Sequence, residues 1–415
     1  MPGVGRSPWL TLPAMETKNR LGGADGVRAL ACLMVMAHHA FQRLALPAQT
    51  ADVQALQQFF LTGSAGVGAF FVLSGYLLST PFWRAWSEGQ SRPSLATYSL
   101  RRWARIAPGF WLNLTLTFGL SWFLVPDAPN RVWRFLAGLT FTSSLTWETL
   151  FPVEINGPLW SIGFEVFSYV LLAGFLFLWF LVPGKRTTAR GMAWWLGVLA
   201  LSLVGHSLWL ALGQTDLDQK GWQYGLSGGA KYWWPAYNPI GFFASFVFGV
   251  LGAGITDRLG RKAHLVQGGR RWLWDGVVAW ALVGWVALMW SLRREGEFGF
   301  SWPTMPYYFP SFALMVTAVL AFGPHTVVVA RLLDNPVARF LATISFGLYI
   351  WHYLLLETSN QIWPNMKYFG ITDPWEWAWK VALVYTAAGL VATLSWYGFE
   401  RPIVRWSQRQ GARRA

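Results

Sequence analysis

Apolar stretches long enough to cross a bilayer recur along almost the whole of this sequence, and no other feature constrains its fold as strongly. A spanning helix needs roughly 17–25 mostly apolar residues. Ten segments qualify: 26–44, 63–83, 107–125, 159–182, 192–212, 237–255, 274–292, 305–323, 337–358 and 376–399. Hydrophobic residues make up 54% of the 415, and charged residues only 13%. A soluble domain carries about 25% charged residues, so this chain lacks the polar surface to face water. The expected fold is an all-α polytopic membrane protein with about ten transmembrane helices. The first segment is the least apolar, because it carries Arg28, His38 and His39. A further apolar piece, 136–145, is too short to span and reads as a re-entrant or interfacial helix.

The net charge of +14 would fit nucleic acid if the basic residues were clustered on one surface, but they lie between apolar runs. That pattern is the orientation signal of a membrane protein, so nucleic acid is set aside as a partner. With the N-terminus inside, the inner segments hold 22 of the 33 Lys and Arg, the outer loops 7, and 4 lie in or at the ends of spans. Both termini are therefore expected in the cytoplasm. The expected layout is a cytoplasmic segment over 1–25, the transmembrane domain over 26–399 and a basic cytoplasmic tail over 400–415. Arg6, Lys18, Pro8 and Pro13 interrupt the first twenty residues, which do not resemble a cleaved signal peptide. Cys32 is the single cysteine, which excludes a disulfide framework and a cysteine-rich metal site. Most of the 29 Trp read as interfacial anchors. No repeat of 20–50 residues is present.

Charge inside a bilayer is costly, so each ionisable residue in a span is a candidate site. Arg28 and His39 are eleven residues apart. At 100° per residue that is three turns plus about 20°, which puts both on one helix face, about 16 Å apart along the axis. They cannot touch, but the stripe suits a long ligand lying along the helix. His38 points roughly 80° away. The fourth span opens with Asn156-Gly157-Pro158-Leu159-Trp160-Ser161, followed by Glu165 and Tyr169. Counted from the outer surface, Glu165 lies about 9 Å deep and His39 about 7.5 Å deep. Histidine and carboxylate at one depth suit general-base chemistry. Tyr349 and His352, in the run Ser345–His352, fall in the outer half of the ninth span. The second span brings Gly63, Gly66 and Gly68 ahead of Phe70–Leu77, where Ser74 and the glycines permit close helix approach. The inner loop from Arg101 to Pro108, if helical, puts Arg102 and Arg105 on one face, and Arg101 with Arg105. Such a cluster can hold phosphates.

These pieces together resemble the acyltransferase-3 family of integral membrane enzymes. The resemblance rests on the Arg28/His39 spacing, Phe70–Leu77, the Arg102–Pro108 run, Leu159-Trp160-Ser161 with Glu165 and Tyr169, and Ser345–His352. A weaker match follows at Glu400-Arg401-Pro402. Each motif is short, and the ordered set is the specific signal. Two departures stand out: Val166 follows Glu165 where many members carry a second acid, and no extracytoplasmic hydrolase-like domain is fused, as in stand-alone members.

The resemblance implies an O-acyltransferase of the bacterial inner membrane. It would move an acyl group, expected to be acetyl, from acyl-CoA to a hydroxyl of a glycan or glycolipid acceptor, with no metal. In that scheme Arg28, Arg101, Arg102 and Arg105 hold the nucleotide end of the donor at the cytoplasmic face, with Ser74 as a further donor-side residue. His39 serves as general base or acyl carrier, Glu165 orients it, and Tyr349 donates to the oxyanion. Trp160 and His352 are the acceptor-side candidates, and loops 126–158 and 213–236 are long enough to bind the acceptor.

Plainer readings stand beside these. Arg28 could anchor a helix end beside Asp25, the Arg101–Arg105 run could be ordinary inner-face charge, and Ser74 could be packing. His206, His264 and His325 read as structural, and Asp275, Glu357 and Glu376 lie near span ends where they reach water. An alternative function is a proton-coupled transporter or exporter, whose mark would be paired broken helices in two related halves. The candidate residues instead concentrate in spans one to four and nine.

Overall fold

The computed structural model describes residues 22–45, 49–213, 229–231, 233–266, 270–294 and 304–413. The N-terminal segment that carries Arg6 and Lys18, and most of the loop 213–236, lie outside the described residues. The principal helices are α1 (Ala24–Phe41), α2 (Ala51–Leu61), α3 (Gly66–Ser87), α4 (Leu95–Leu124), α5 (Arg131–Leu139), α6 (Trp160–Leu181) and α7 (Thr188–Leu212). They continue as α8 (Pro239–Arg261), α9 (Arg271–Ser291), α10 (Ser311–Phe322), α11 (Pro336–Thr358), α12 (Pro374–Ser395) and α13 (Arg401–Arg413). Among the described residues, extended pairing is confined to one isolated bridge between Leu44 and Ile371.

The protein is an all-α polytopic membrane protein. Among the described residues, seven stretches are long and apolar enough to span: Ala51–Ser87, Gly157–Leu181, Thr188–Leu212, Pro239–Arg261, Arg271–Ser291, Pro336–Gln361 and Pro374–Gly411. The other three expected segments are helical too. Helix α1 carries Asp25 and Arg28, α4 begins with its arginines, and α10 is 12 residues long. The piece at 136–145 forms the end of α5 and a short 3₁₀ turn at Ser143–Leu145, and does not span.

The centre is the pair α3 and α8, each 83% buried over its apolar stretch, whereas α7, α9 and α12 are 22% buried. Glycine sets the central contact. A Cβ on Gly75 would lie 2.0 Å from the Phe246 carbonyl oxygen, and one on Gly249 would lie 1.9 Å from that of Val72. Only hydrogen fits at either position, so the two backbones touch. On the outer helices, Leu201, Val204 and Leu208 of α7 and Leu383, Leu390 and Leu394 of α12 are exposed. Their spacing of three to seven residues makes apolar stripes that face lipid.

Helix α1 packs between α3 and α11. A Cβ at Gly66 would fall 2.4 Å from the Ala31 carbonyl oxygen of α1, so the chain entering α3 lies directly on α1. The first turn of α1 is fixed from far along the chain. The backbone N–H groups of Gly23 and Gly26 donate to the two carboxylate oxygens of Asp334 at 2.7 and 3.1 Å. Gly23 takes a positive φ of 89°, which its missing Cβ permits. Asp334 supplies the acidic cap that a helix N-terminus favours.

Candidate active site

With α1 held in this way, its Arg28–His39 face opens onto two pockets that lie end to end along the helix. The pocket toward the N-terminus of α1 is lined by Arg28, Ser74, Arg102, Arg105, Glu165 and Tyr169, among others. The run from Arg101 to Pro108 is not a loop but part of the first turns of α4. The helix therefore presents Arg102 and Arg105 together. Arg101 turns outward, exposed beside Gly411 of α13. Arg105 is held in place by other groups: it stacks 4.5 Å over the Trp396 ring, donates to the Thr343 carbonyl at 3.5 Å, and lies 3.9 Å from the buried Glu400. Within the basic stretch expected as a tail over 400–415, residues Arg401–Arg413 form α13, which packs on α4.

Glu165 belongs to this pocket. It accepts a hydrogen bond from Ser74 Oγ at 3.3 Å and another from the Tyr169 hydroxyl one turn along α6. Matched depth suggested that Glu165 would pair with His39; the geometry gives the two residues different partners and different pockets. Depth along a helix fixes one coordinate, whereas pairing also depends on which way each face is turned.

The second pocket lies toward the C-terminus of α1. His39 and Trp160 line it with Tyr237, Tyr307, Tyr353 and Tyr368. His39 Nδ1 is 3.0 Å from His352 Nε2, and Tyr353 meets the His39 ring edge-on at 4.8 Å between centroids. His352 is fully buried and sits behind His39 rather than on the pocket wall. His38 also reaches the pocket, but both its nitrogens are engaged. Its Nδ1 donates to the Leu61 carbonyl at 2.6 Å, and its Nε2 accepts from the Gln42 amide at 3.1 Å.

Val67 and Tyr349 line both pockets and form the wall between them. The Tyr349 hydroxyl is 2.7 Å from Ser161 Oγ and donates to the Pro158 carbonyl at 3.2 Å, so the turn that opens α6 anchors it.

Sequence reasoning passed over the polar clasp behind this wall. The side-chain amides of Asn113 on α4 and Asn156 ahead of α6 both donate to the Ile350 carbonyl of α11 at 2.9 Å. Asn156 also donates to Asn113 Oδ1 at 2.9 Å. All three residues are buried. Asn113 lies inside an apolar span, and that was the available signal. At the rim, buried Arg43 pairs with Glu357 at 2.7 Å and lies over the Tyr353 and Tyr368 rings. Glu357 thus has a protein partner as well as a position near water.

Residues 21–400 match the model of a family described as an acyltransferase domain, Acyl_transf_3. Among similar proteins is nodulation protein 10 of Rhizobium leguminosarum bv. viciae, 23% identical over 410 residues, which cover 94% of this chain and 95% of that one. A Staphylococcus aureus (strain COL) protein provisionally named an O-acetyltransferase is 22% identical over 354 residues. That match covers 81% of this chain and 50% of the staphylococcal protein. The acyltransferase MdmB of Streptomyces mycarofaciens is 30% identical over 182 residues, 42% of this chain and 43% of its own. No solved structure matches.

Proposed function

The chain belongs to the acyltransferase-3 family, a membrane acyltransferase that moves groups other than aminoacyl groups, and from that premise we propose that it carries an acyl group, acetyl in the first instance, from cytoplasmic acyl-CoA to a hydroxyl of a glycan or glycolipid acceptor. The chain crosses the bacterial inner membrane ten times with both termini in the cytoplasm. The observation that supports this reading is the single face of α1 that offers Arg28 to a pocket shared with Arg102 and Arg105, and His39 to an aromatic pocket further along. Guanidinium groups at one end suit the phosphates of coenzyme A. Aromatic rings and an imidazole at the other suit a sugar hydroxyl that must lose a proton.

The donor's nucleotide end sits against Arg28, Arg102 and Arg105, and its pantetheine arm runs beside α1 for the roughly 16 Å to His39. His39 takes the proton of the acceptor hydroxyl as the oxygen attacks the thioester carbonyl. Tyr349, at the junction of the pockets, turns its one O–H from the Pro158 carbonyl to the developing oxyanion. The thiolate of coenzyme A leaves and is protonated. Glu165, bound by Ser74 and Tyr169, keeps the arginine pocket from carrying unbalanced positive charge. Trp160 forms part of the acceptor surface.

Purified protein in detergent with radiolabelled acetyl-CoA tests this. Arg28→Ala should weaken donor binding by about 10- to 150-fold, the value of a hydrogen bond to a charged group. His39→Ala should bind the donor yet lose about 10²- to 10⁴-fold in transfer and hydrolysis. Wild-type protein that binds no donor would overturn the reading in favour of transport.

A further inference from the structure

We infer that His352 is a positioning residue that fixes the tautomer of His39 and leaves His39 Nε2 as the proton-accepting atom. The inference rests on the proposed role of His39 as general base. It starts from a carbonyl: His352 Nδ1 lies 2.8 Å from the backbone oxygen of Leu348, one turn earlier on α11. A carbonyl oxygen only accepts, so His352 Nδ1 carries the hydrogen. Neutral His352 then has a bare Nε2 lone pair, aimed at His39 Nδ1 from 3.0 Å. Two bare nitrogens at that distance would repel, so His39 carries its hydrogen on Nδ1. The His39 lone pair is therefore on Nε2.

Every other arrangement fails at one of the two contacts. Moving the hydrogen of His352 to Nε2 leaves its bare Nδ1 facing the Leu348 oxygen, two acceptors in contact. Protonating both nitrogens of His352 satisfies Leu348 but buries a full charge between membrane helices. It would also force the hydrogen of His39 onto Nε2 and abolish the base. The carbonyl of Leu348 thus determines, through two imidazoles, which nitrogen of His39 carries the lone pair.

The relay does what a carboxylate does behind a catalytic histidine, with a neutral group in its place. During transfer the acceptor's proton passes to His39 Nε2, its oxygen forms the ester bond, and the carbon–sulfur bond of the thioester breaks. The imidazolium keeps its Nδ1–H on His352, then returns the Nε2 proton to the departing thiolate. Protons and electron pairs balance within donor, acceptor and one histidine.

His38, next in sequence, is excluded from this role by the same bookkeeping. Its Nδ1 is also a donor to a carbonyl, that of Leu61, but its Nε2 lone pair is occupied by the Gln42 amide.

The test combines kinetics with nitrogen NMR on full-length protein in detergent. Histidine is labelled with ¹⁵N at all six positions, and the His39 signals are identified by their loss in His39→Ala. The wild type should show His39 protonated at Nδ1 and bare at Nε2. His352→Leu removes the imidazole acceptor, leaving the backbone contact of His39 to Val35, and should lower kcat about 100-fold, the lower end of a general base's contribution, with donor KM little changed. His352→Gln, whose amide oxygen can accept from His39 Nδ1, should recover most of that loss. A wild-type His39 protonated at Nε2 overturns the relay whether or not His352→Leu folds. So does an unchanged kcat in His352→Leu when His39→Ala is inactive. Full activity in His39→Ala would instead overturn the proposed function beneath it.

Discussion

Asn156 is uncharged, yet its amide joins three separate parts of the chain: Asn113 on α4, the opening of α6, and the Ile350 carbonyl on α11. Ile350 lies between Tyr349 and His352, so the clasp sets the register of both. Polar contacts between membrane helices are worth about 1 kcal/mol each. Asn156→Leu removes two of them and should lower stability by about 2 kcal/mol, read as an earlier thermal transition in detergent, with transfer activity falling alongside. Sequence made some of this neighbourhood legible. The Arg28–His39 stripe follows from helix geometry alone, and both residues line pockets as a shared face requires. The partners did not follow. Serine, tyrosine and arginines surround Glu165, while a second imidazole backs His39, because partner choice depends on how α1, α6 and α11 are rotated against one another. A helical wheel drawn for a single helix contains nothing about that rotation.

Among the elements, α3 and α8 meet where a side chain would collide with backbone. Gly249→Leu should therefore do more than overpack a core. It must push two central helices apart, at a cost of about 3 kcal/mol or more, and should leave little folded protein in a size-exclusion profile after extraction. Glycines at 63, 66 and 68 were read from sequence as marks of close approach, and Gly63 and Gly66 do lie against α1. The partner of Gly75 needed three dimensions, since Phe246 is 171 residues further along. Helix existence was likewise legible from apolar length. Helix ends were not, because α4 begins well before its apolar stretch and takes in the arginines as an amphipathic start. The cap of α1 was also invisible: Asp334 sits in an ordinary loop until the fold returns it to Gly23 and Gly26.

For the whole molecule, the question is which end faces the cytoplasm. Cys32 is buried, 1% exposed, so cysteines introduced elsewhere report cleanly. Lys185 and Asp127 are exposed positions in loops between spans. With both termini inside, Asp127→Cys in intact cells should react with a membrane-impermeant maleimide, and Lys185→Cys should react only after the cells are opened. The reverse pattern would invert the proposed orientation and place the arginine pocket outside. The wall of Val67 and Tyr349 has an electrical consequence in either orientation. A potential of about 100 mV pulls on each elementary charge with about 2.3 kcal/mol, and a wetted passage from arginines to histidines would be a shunt across the bilayer. Until the pantetheine arm of a bound donor parts them and fills the gap, branched hydrocarbon and an aromatic ring close that passage at its middle. The two polar pockets can then approach each other from opposite ends of one helix while the membrane between them stays an insulator.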